Sequence, residues 1–229
     1  MSGTILVSGI GGATVGTIIG FKKMDYDRIP QAGVLAASFF VASLIHIPFA
    51  VTSVHLILNG LIGLMMGWGA FPIILIALTL QSIFFQFGGL TTLGVNTVIM
   101  ALPAVVCFFL FRRLVIKESS IAVYASFACG SLSVFLSGTL LALALYFTGD
   151  GFLEISLTLL IAHLPVMIIE GVVTVFCVLF LKKVQPSLLD YQNSPREVDR
   201  FAGKGGLKGG KRLLPKHDST RSEKNETHT

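Results

Sequence analysis

Residues 54–87 read VHLILNGLIGLMMGWGAFPIILIALTLQSIFFQF, a run without one Asp, Glu, Lys or Arg. A helix needs roughly 17–25 mostly apolar residues to cross about 30 Å of hydrocarbon. The run is longer than one crossing and short for two. Whether it is one helix or two sets the number of spans and the side that every later loop faces. Runs of the same character flank it at Thr4–Phe21, Ala32–Pro48, Gly94–Phe111, Ile121–Phe147 and Phe152–Leu181. Divided into Val54–Trp68 and Phe71–Phe87, the central run brings the total to seven. The last two runs exceed one bilayer thickness, so they tilt or extend past the membrane.

Charge placement favours the division. Lys and Arg in short loops mark the cytoplasmic side. Here they follow the first span (Lys22, Lys23, Arg28), follow the fifth (Arg112, Arg113, Lys117) and fill the tail. The loops near Val51, at 88–93 and at 148–151 carry none. Seven spans put every basic group inside, with the N-terminus outside and the C-terminus inside. A single helix over 54–87 would turn Arg112 and Arg113 outward. The first run could instead be a secretory signal, but no Lys or Arg precedes Lys22 to make its basic leader. Gly12, Gly16 and Gly20 form a doubled GxxxG, which lets a neighbouring helix approach closely.

Composition points the same way. Of the 229 residues, 53% are apolar and 13% charged, against about a quarter charged in soluble domains. The chain beyond Leu181 holds 11 of the 17 basic and 6 of the 12 acidic residues, leaving six of each sign in the first 181. So little charge cannot cover a water-soluble enzyme, and the disordered, collagen-like and disulfide-framework classes fail on the same figures. No strand alternation of the barrel kind recurs, and lipid leaves helices as the other solution. The expected fold is an all-α polytopic membrane protein. Residues 1–184 form its membrane domain and 185–229 a basic, flexible cytoplasmic tail, too polar to order itself and suited to anionic lipid. Gly205 to Lys211 nearly spells a phosphate-binding loop, but Arg212 stands where Ser or Thr would hold magnesium and no strand precedes it. No nucleotide-hydrolysing site and no nucleic-acid partner is expected.

Ionisable groups inside the membrane are expensive and point to function. His46 closes the second span and His55 opens the third, both near the outer surface. Two readings stand for them: part of a metal site, since neutral imidazole suits nickel, copper, zinc and cobalt-like ions, or a pair of hydrated interfacial histidines. His163 and Glu170 are seven apart on the last span, two turns along one helix face. Glu170 is either part of an ion relay or ligand support, or a group that locks helix packing. Pro165 between them frees a backbone carbonyl. Residues 88–96, GGLTTLGVN, are the least helix-like of the membrane body and should return from an outer loop toward membrane depth, with Asn96 facing a cavity. Asn59, one turn below His55 on a helix, reads as interhelical glue. Cys107, Cys129 and Cys177 lie in separate spans without CxxC pairing and read as small core residues. No hydrolase triad order, HExxH or Rossmann glycine pattern is present, so no enzyme is expected.

Three stretches carry a resemblance: SVHLILNG at 53–60, FGGLTTLGVN at 87–96 and AHLPVMIIEG at 162–171. In this order, and across about residues 20–182, the chain resembles the cobalt and nickel substrate-binding permeases of the CbiM/NikM type. These are membrane capture subunits of energy-coupling-factor importers. The resemblance implies that a transported Co²⁺ or Ni²⁺ is bound by nitrogen, with no permanent cofactor. The ligands it implies are a free α-amine, the amide and imidazole of a second-position His, and one later His, which His55 matches. It also implies a transmembrane coupling subunit, cytoplasmic ATPase subunits, a small additional membrane subunit and an inner-membrane location. Cobalt would place the protein beside cobalamin biosynthesis.

The chain departs from that pattern at its start, which reads Met1-Ser2-Gly3 without the Met-His clamp. Either this member binds differently, with His46 substituting, or Met1 is an internal start. The second is expected because Met1 abuts the first span; amino-terminal sequencing of the native protein decides it. Ile99 also stands where several relatives carry a second Asn. The rival function is an ion-coupled secondary transporter with Glu170 and His163 as a proton relay, although the internal repeats common in such folds are not evident. A structural or assembly protein would leave the three stretches unexplained.

Overall fold

The structure, a computed structural model, describes residues 3–49, 52–86, 88–117, 120–147, 153–185 and 188–189, with backbone alone at 46–49, 52–55, 153–160 and 162. Met1, Ser2 and nearly all of the expected tail lie outside the described residues. Among the described residues seven α-helices form: α1 (Gly3–Lys23), α2 (Ile29–Ala42), α3 (Asn59–Met66), α4 (Ala70–Phe84), α5 (Leu93–Val115), α6 (Ser120–Tyr146) and α7 (Leu153–Val184). Between α2 and α3 lies a two-stranded hairpin, β1 (His46–Phe49) and β2 (Thr52–His55).

Basic side chains close α1, α5 and α7, as Lys22 and Lys23, Arg112 and Arg113, and Lys182 and Lys183. Cations there complement the negative end of the helix dipole. These helix ends also meet. Lys23 Nζ stands 5.1 Å from the Trp68 ring centre, and Lys182 Nζ donates to the Lys117 carbonyl at 2.8 Å. Arg28 donates to the carbonyls of Met65 and Leu188, at 3.3 and 2.8 Å. The described basic residues therefore gather at one end of the bundle. The outer faces of the helices are apolar: Val7, Tyr124 and Phe176 are each at least 70% exposed. Such a surface suits hydrocarbon and not water.

Among the described residues, five stretches are long and apolar enough to cross a membrane: Gly3–Lys23, Asn59–Phe84, Leu93–Val115, Ser120–Tyr146 and His163–Val184. The second of these contains α3 and α4, and the chain reverses between them. Asn59 meets the Met100 carbonyl, the site of a Cβ on Gly63 would fall 2.1 Å from the Ala104 carbonyl oxygen, and Gly67 faces the Phe108 ring. Thus α3 runs parallel to α5 toward the basic end. There the turn at Gly67–Gly69 intervenes, with Gly67 at φ 53°, ψ −119°, a conformation that a residue with a Cβ does not tolerate. From that turn α4 must climb back, because residues 85–92 span at most about 29 Å and lead into the far end of α5. Phe40 of α2 meets the Phe84 ring edge-on and the tilted Phe85 ring at that far end. Dividing the central run near Trp68 is therefore correct.

The expected outer boundaries of spans two and three are not. Ala32–Pro48 does not continue as helix to Pro48, since α2 stops at Ala42 and His46 lies in a strand. Val54–Trp68 begins as strand, and α3 has only eight residues, about 12 Å of helix. It cannot cross a bilayer alone. Instead all eight residues are buried, wrapped by the longer helices. Close approach to α5 is possible because Gly63 has no side chain to clash with Ala104. α1 buries Gly9, Ala13, Gly16 and Gly20, so the small-residue face expected from the sequence exists, rotated to exclude Gly12.

Candidate metal site

The hairpin forms from an apolar stretch that hides a strand pattern. Ile47, Thr52 and Val54 are β-branched and suit extended backbone, and Pro48 resists continuation of the α2 helix. Its register pairs Phe49 with Thr52, Pro48 with Ser53, Ile47 with Val54 and His46 with His55. Residues directly opposite in an antiparallel pair stand about 4.5–5.5 Å apart at Cα. Two imidazole-bearing residues nine apart in the chain are thus brought opposite each other by backbone register. A slip of one residue would undo the pairing. The hairpin follows α2 at the end of the bundle away from the basic residues.

From β2 the chain passes through Leu56, Ile57 and Leu58, all buried, into α3. Leu58 adopts φ 54°, ψ 15°, the left-handed region that a bulky residue seldom enters. No side chain of the helix's own start caps α3, although amide N–H groups at such a start need acceptors. The acceptor comes from α7. Glu170 Oε1 receives the N–H of Leu58 at 2.7 Å and also the N–H of Ile57. Glu170 is fully buried, and its other oxygen, Oε2, has no hydrogen-bond partner among the described residues. A carboxylate beside the N-terminus of α3 is also favoured by the helix dipole.

Asn59 does not sit one helical turn below His55, because the intervening residues are not helix. It is the first residue of α3, where its Nδ2 donates to Ser137 Oγ at 2.8 Å and to the Met100 carbonyl at 3.3 Å. It joins α3 to α5 and α6. Its Oδ1 is buried without a partner among the described residues. His163 is buried on α7, two turns before Glu170. Helices α6 and α7 run antiparallel, with Ser131 Oγ donating to the Met167 carbonyl at 2.8 Å, and by that register His163 lies at the level of Ser137. Asn96 lies at the start of α5. In the first turn of α5, its Nδ2 donates to Thr92 Oγ1 at 3.4 Å and stands over Gly88.

The structure therefore brings His46 and His55 together by backbone register, and ties Glu170 to the residues that follow His55. Asn96 lies instead in the first turn of α5. Among the described residues no group of three or more His, Cys, Asp or Glu side chains could hold a metal ion; the side chains of His46 and His55 lie outside that description. Cys107, Cys129 and Cys177 are free thiols, the first two buried. Sequence reading missed Ile57, Leu58 and Ser137. The first two act through backbone N–H groups, which leave no mark on residue identity, and Ser137 is one of several serines along α6.

Residues 1–188 match the family CbiM, described as a cobalt uptake substrate-specific transmembrane region. A provisionally assigned metal transport protein of Haemophilus influenzae is 38% identical over 189 residues, covering 81% of this chain and 92% of its own. The cobalt transport protein CbiM of Sorangium cellulosum is 30% identical over 171 residues, covering 70% and 76%. Among solved structures, a truncated transition metal transporter superposes with a TM-score of 0.61 at 20% identity, over 79% of this chain and 92% of that one. That likeness is one of fold.

Proposed function

The chain belongs to the CbiM family, and from that premise we propose that it is the metal-capturing membrane subunit of a Co²⁺ or Ni²⁺ importer. It is a multi-pass inner-membrane protein, and its family is one of transport components, not of enzymes. Energy comes from separate coupling and ATPase subunits, with a small additional membrane subunit beside them. The basic end of the bundle faces the cytoplasm, as the positive-inside rule requires. The hairpin then faces outward, where the ion arrives. His55 is a metal ligand, and His46, its partner in the hairpin register, is a second. Nitrogen donors of this kind suit Ni²⁺ and Co²⁺ over Mg²⁺ or Ca²⁺.

The observation that carries the reading is the pairing of His46 with His55 across the hairpin, inside a chain of this family. The test is radiolabelled Co²⁺ or Ni²⁺ uptake by cells producing the chain with its partner subunits. Uptake should depend on the ATPase subunits, fall to background with His55→Ala, fall less with His46→Ala, and persist when a protonophore dissipates the proton gradient. Uptake that follows the proton gradient and ignores the ATPase subunits would overturn the reading in favour of a secondary transporter.

A further inference from the structure

Glu170 is fully buried in α7, and neither the hairpin nor the proposed ligands use it directly. We propose that Glu170 is the positioning residue of the metal hairpin: its carboxylate holds the Ile57–Leu58 link and so fixes where His55 stands. The proposal rests on His55 being a ligand. It assigns Glu170 neither to the ion nor to a proton relay.

Three observations carry it. First, one oxygen, Oε1, accepts two consecutive backbone N–H groups that begin two residues after His55. The lever between the clamp and the ligand is two peptide units long. Second, Leu58 is left-handed, a strained state that persists only where the surroundings over-determine it. The two bonds to Glu170 supply that constraint. Leu56 N–H also reaches the carbonyl of Ile45, three residues past the end of α2, at 3.4 Å. Third, Glu170 rides on a stiff support. The site of a Cβ on Gly130 of α6 lies 2.5 Å from Thr174 Oγ1 and 2.7 Å from the Glu170 carbonyl oxygen, and that on Gly171 lies 2.5 Å from Ser131 Oγ. Helices packed that closely give the carboxylate a fixed origin from which to place the hairpin.

A relay is the weaker use of the same group. Oε1 is committed to amide donors, Oε2 meets no hydrogen-bonding group among the described residues, and His163 is seven residues away, about 10 Å along the helix axis. A hold on backbone amides needs an acceptor oxygen and no titratable proton. Glu170→Gln preserves the first and removes the second, whereas Glu170→Leu removes both.

The full chain in lipid nanodiscs, as wild type and both variants, is followed by two measurements. One is amide hydrogen exchange in peptides covering residues 52–62. The other is Co²⁺ titration read from the metal's visible absorption. Glu170→Leu should speed exchange at Ile57 and Leu58 and weaken Co²⁺ binding about 10- to 100-fold, the range for residues that support a ligand. It should also change the Co²⁺ spectrum, because the ligand geometry shifts. Glu170→Gln should restore exchange, spectrum and affinity to near wild type. Equal damage from Gln and Leu would overturn the proposal in favour of a charge or proton role, and unchanged exchange in Glu170→Leu would overturn it outright. A wild-type chain that binds no Co²⁺ overturns the metal-capture function itself, while the exchange data still decide whether Glu170 holds the link.

Discussion

Two irregular stretches interrupt the helices away from the basic end: residues 56–58, between the hairpin and α3, and residues 88–92, before α5. Both use left-handed backbone, at Leu58 in the first and at Gly88 and Gly89 in the second. They are held in opposite ways. The first is buried and is secured by a carboxylate 112 positions away in the chain. The second is partly exposed and secures itself: Thr92 Oγ1 donates to the carbonyls of Gly88 and Gly89, and Asn96 Nδ2 donates to Thr92 Oγ1. Water can satisfy what the second leaves open. The first has no such recourse, because polar backbone inside a membrane body must find protein partners. A remote hold makes the segment beside His55 sensitive to α7, whereas a local hold insulates the 88–92 loop from the rest of the bundle.

The sharpest way to break this contrast is at Glu170. Glu170→Leu strands two buried N–H groups, each worth about 1–3 kcal/mol when unpaired. Detergent-micelle unfolding should show a loss of about 2–5 kcal/mol, and a loss below about 1 kcal/mol would mean another group holds the link. Gly88→Ala comes next. At φ 74° a Cβ is strained, and its position lies 2.7 Å from Asn96 Nδ2. The expected cost is about 1–2 kcal/mol with Co²⁺ affinity unchanged; a drop in affinity like that of Glu170→Leu would join this loop to the site. Thr92→Val is the mildest, about 1 kcal/mol for the lost hydroxyl bonds. Faster amide exchange should be confined to residues 88–96, and its spread to 52–62 would erase the distinction between the two stretches.

The sequence was most readable where one physical demand dominated. Long apolar runs had to be membrane helices, and α1, α5, α6 and α7 lie close to the runs assigned to them. Placement of Arg112 and Arg113 required a reversal near Trp68, and the turn at Gly67–Gly69 provides it. Reading failed at the hairpin. A four-residue strand inside an apolar run has the same composition as helix, so the sequence extends the expected helices over His46-Ile47-Pro48 and Val54-His55. The one-turn spacing of Asn59 from His55 depends on a helix that the hairpin replaces.

By itself, the sequence determined that the chain lives in a membrane and where most of its long apolar helices lie, and it marked His163 and Glu170 as polar groups within them. Those conclusions follow from transfer free energy, which depends on residue type and position along the chain. The tertiary structure alone decided that His46 opposes His55 and that Glu170 grips the link beyond His55. Both rest on backbone N–H and C=O groups that every residue shares, so which of them meet is settled only when the chain is folded.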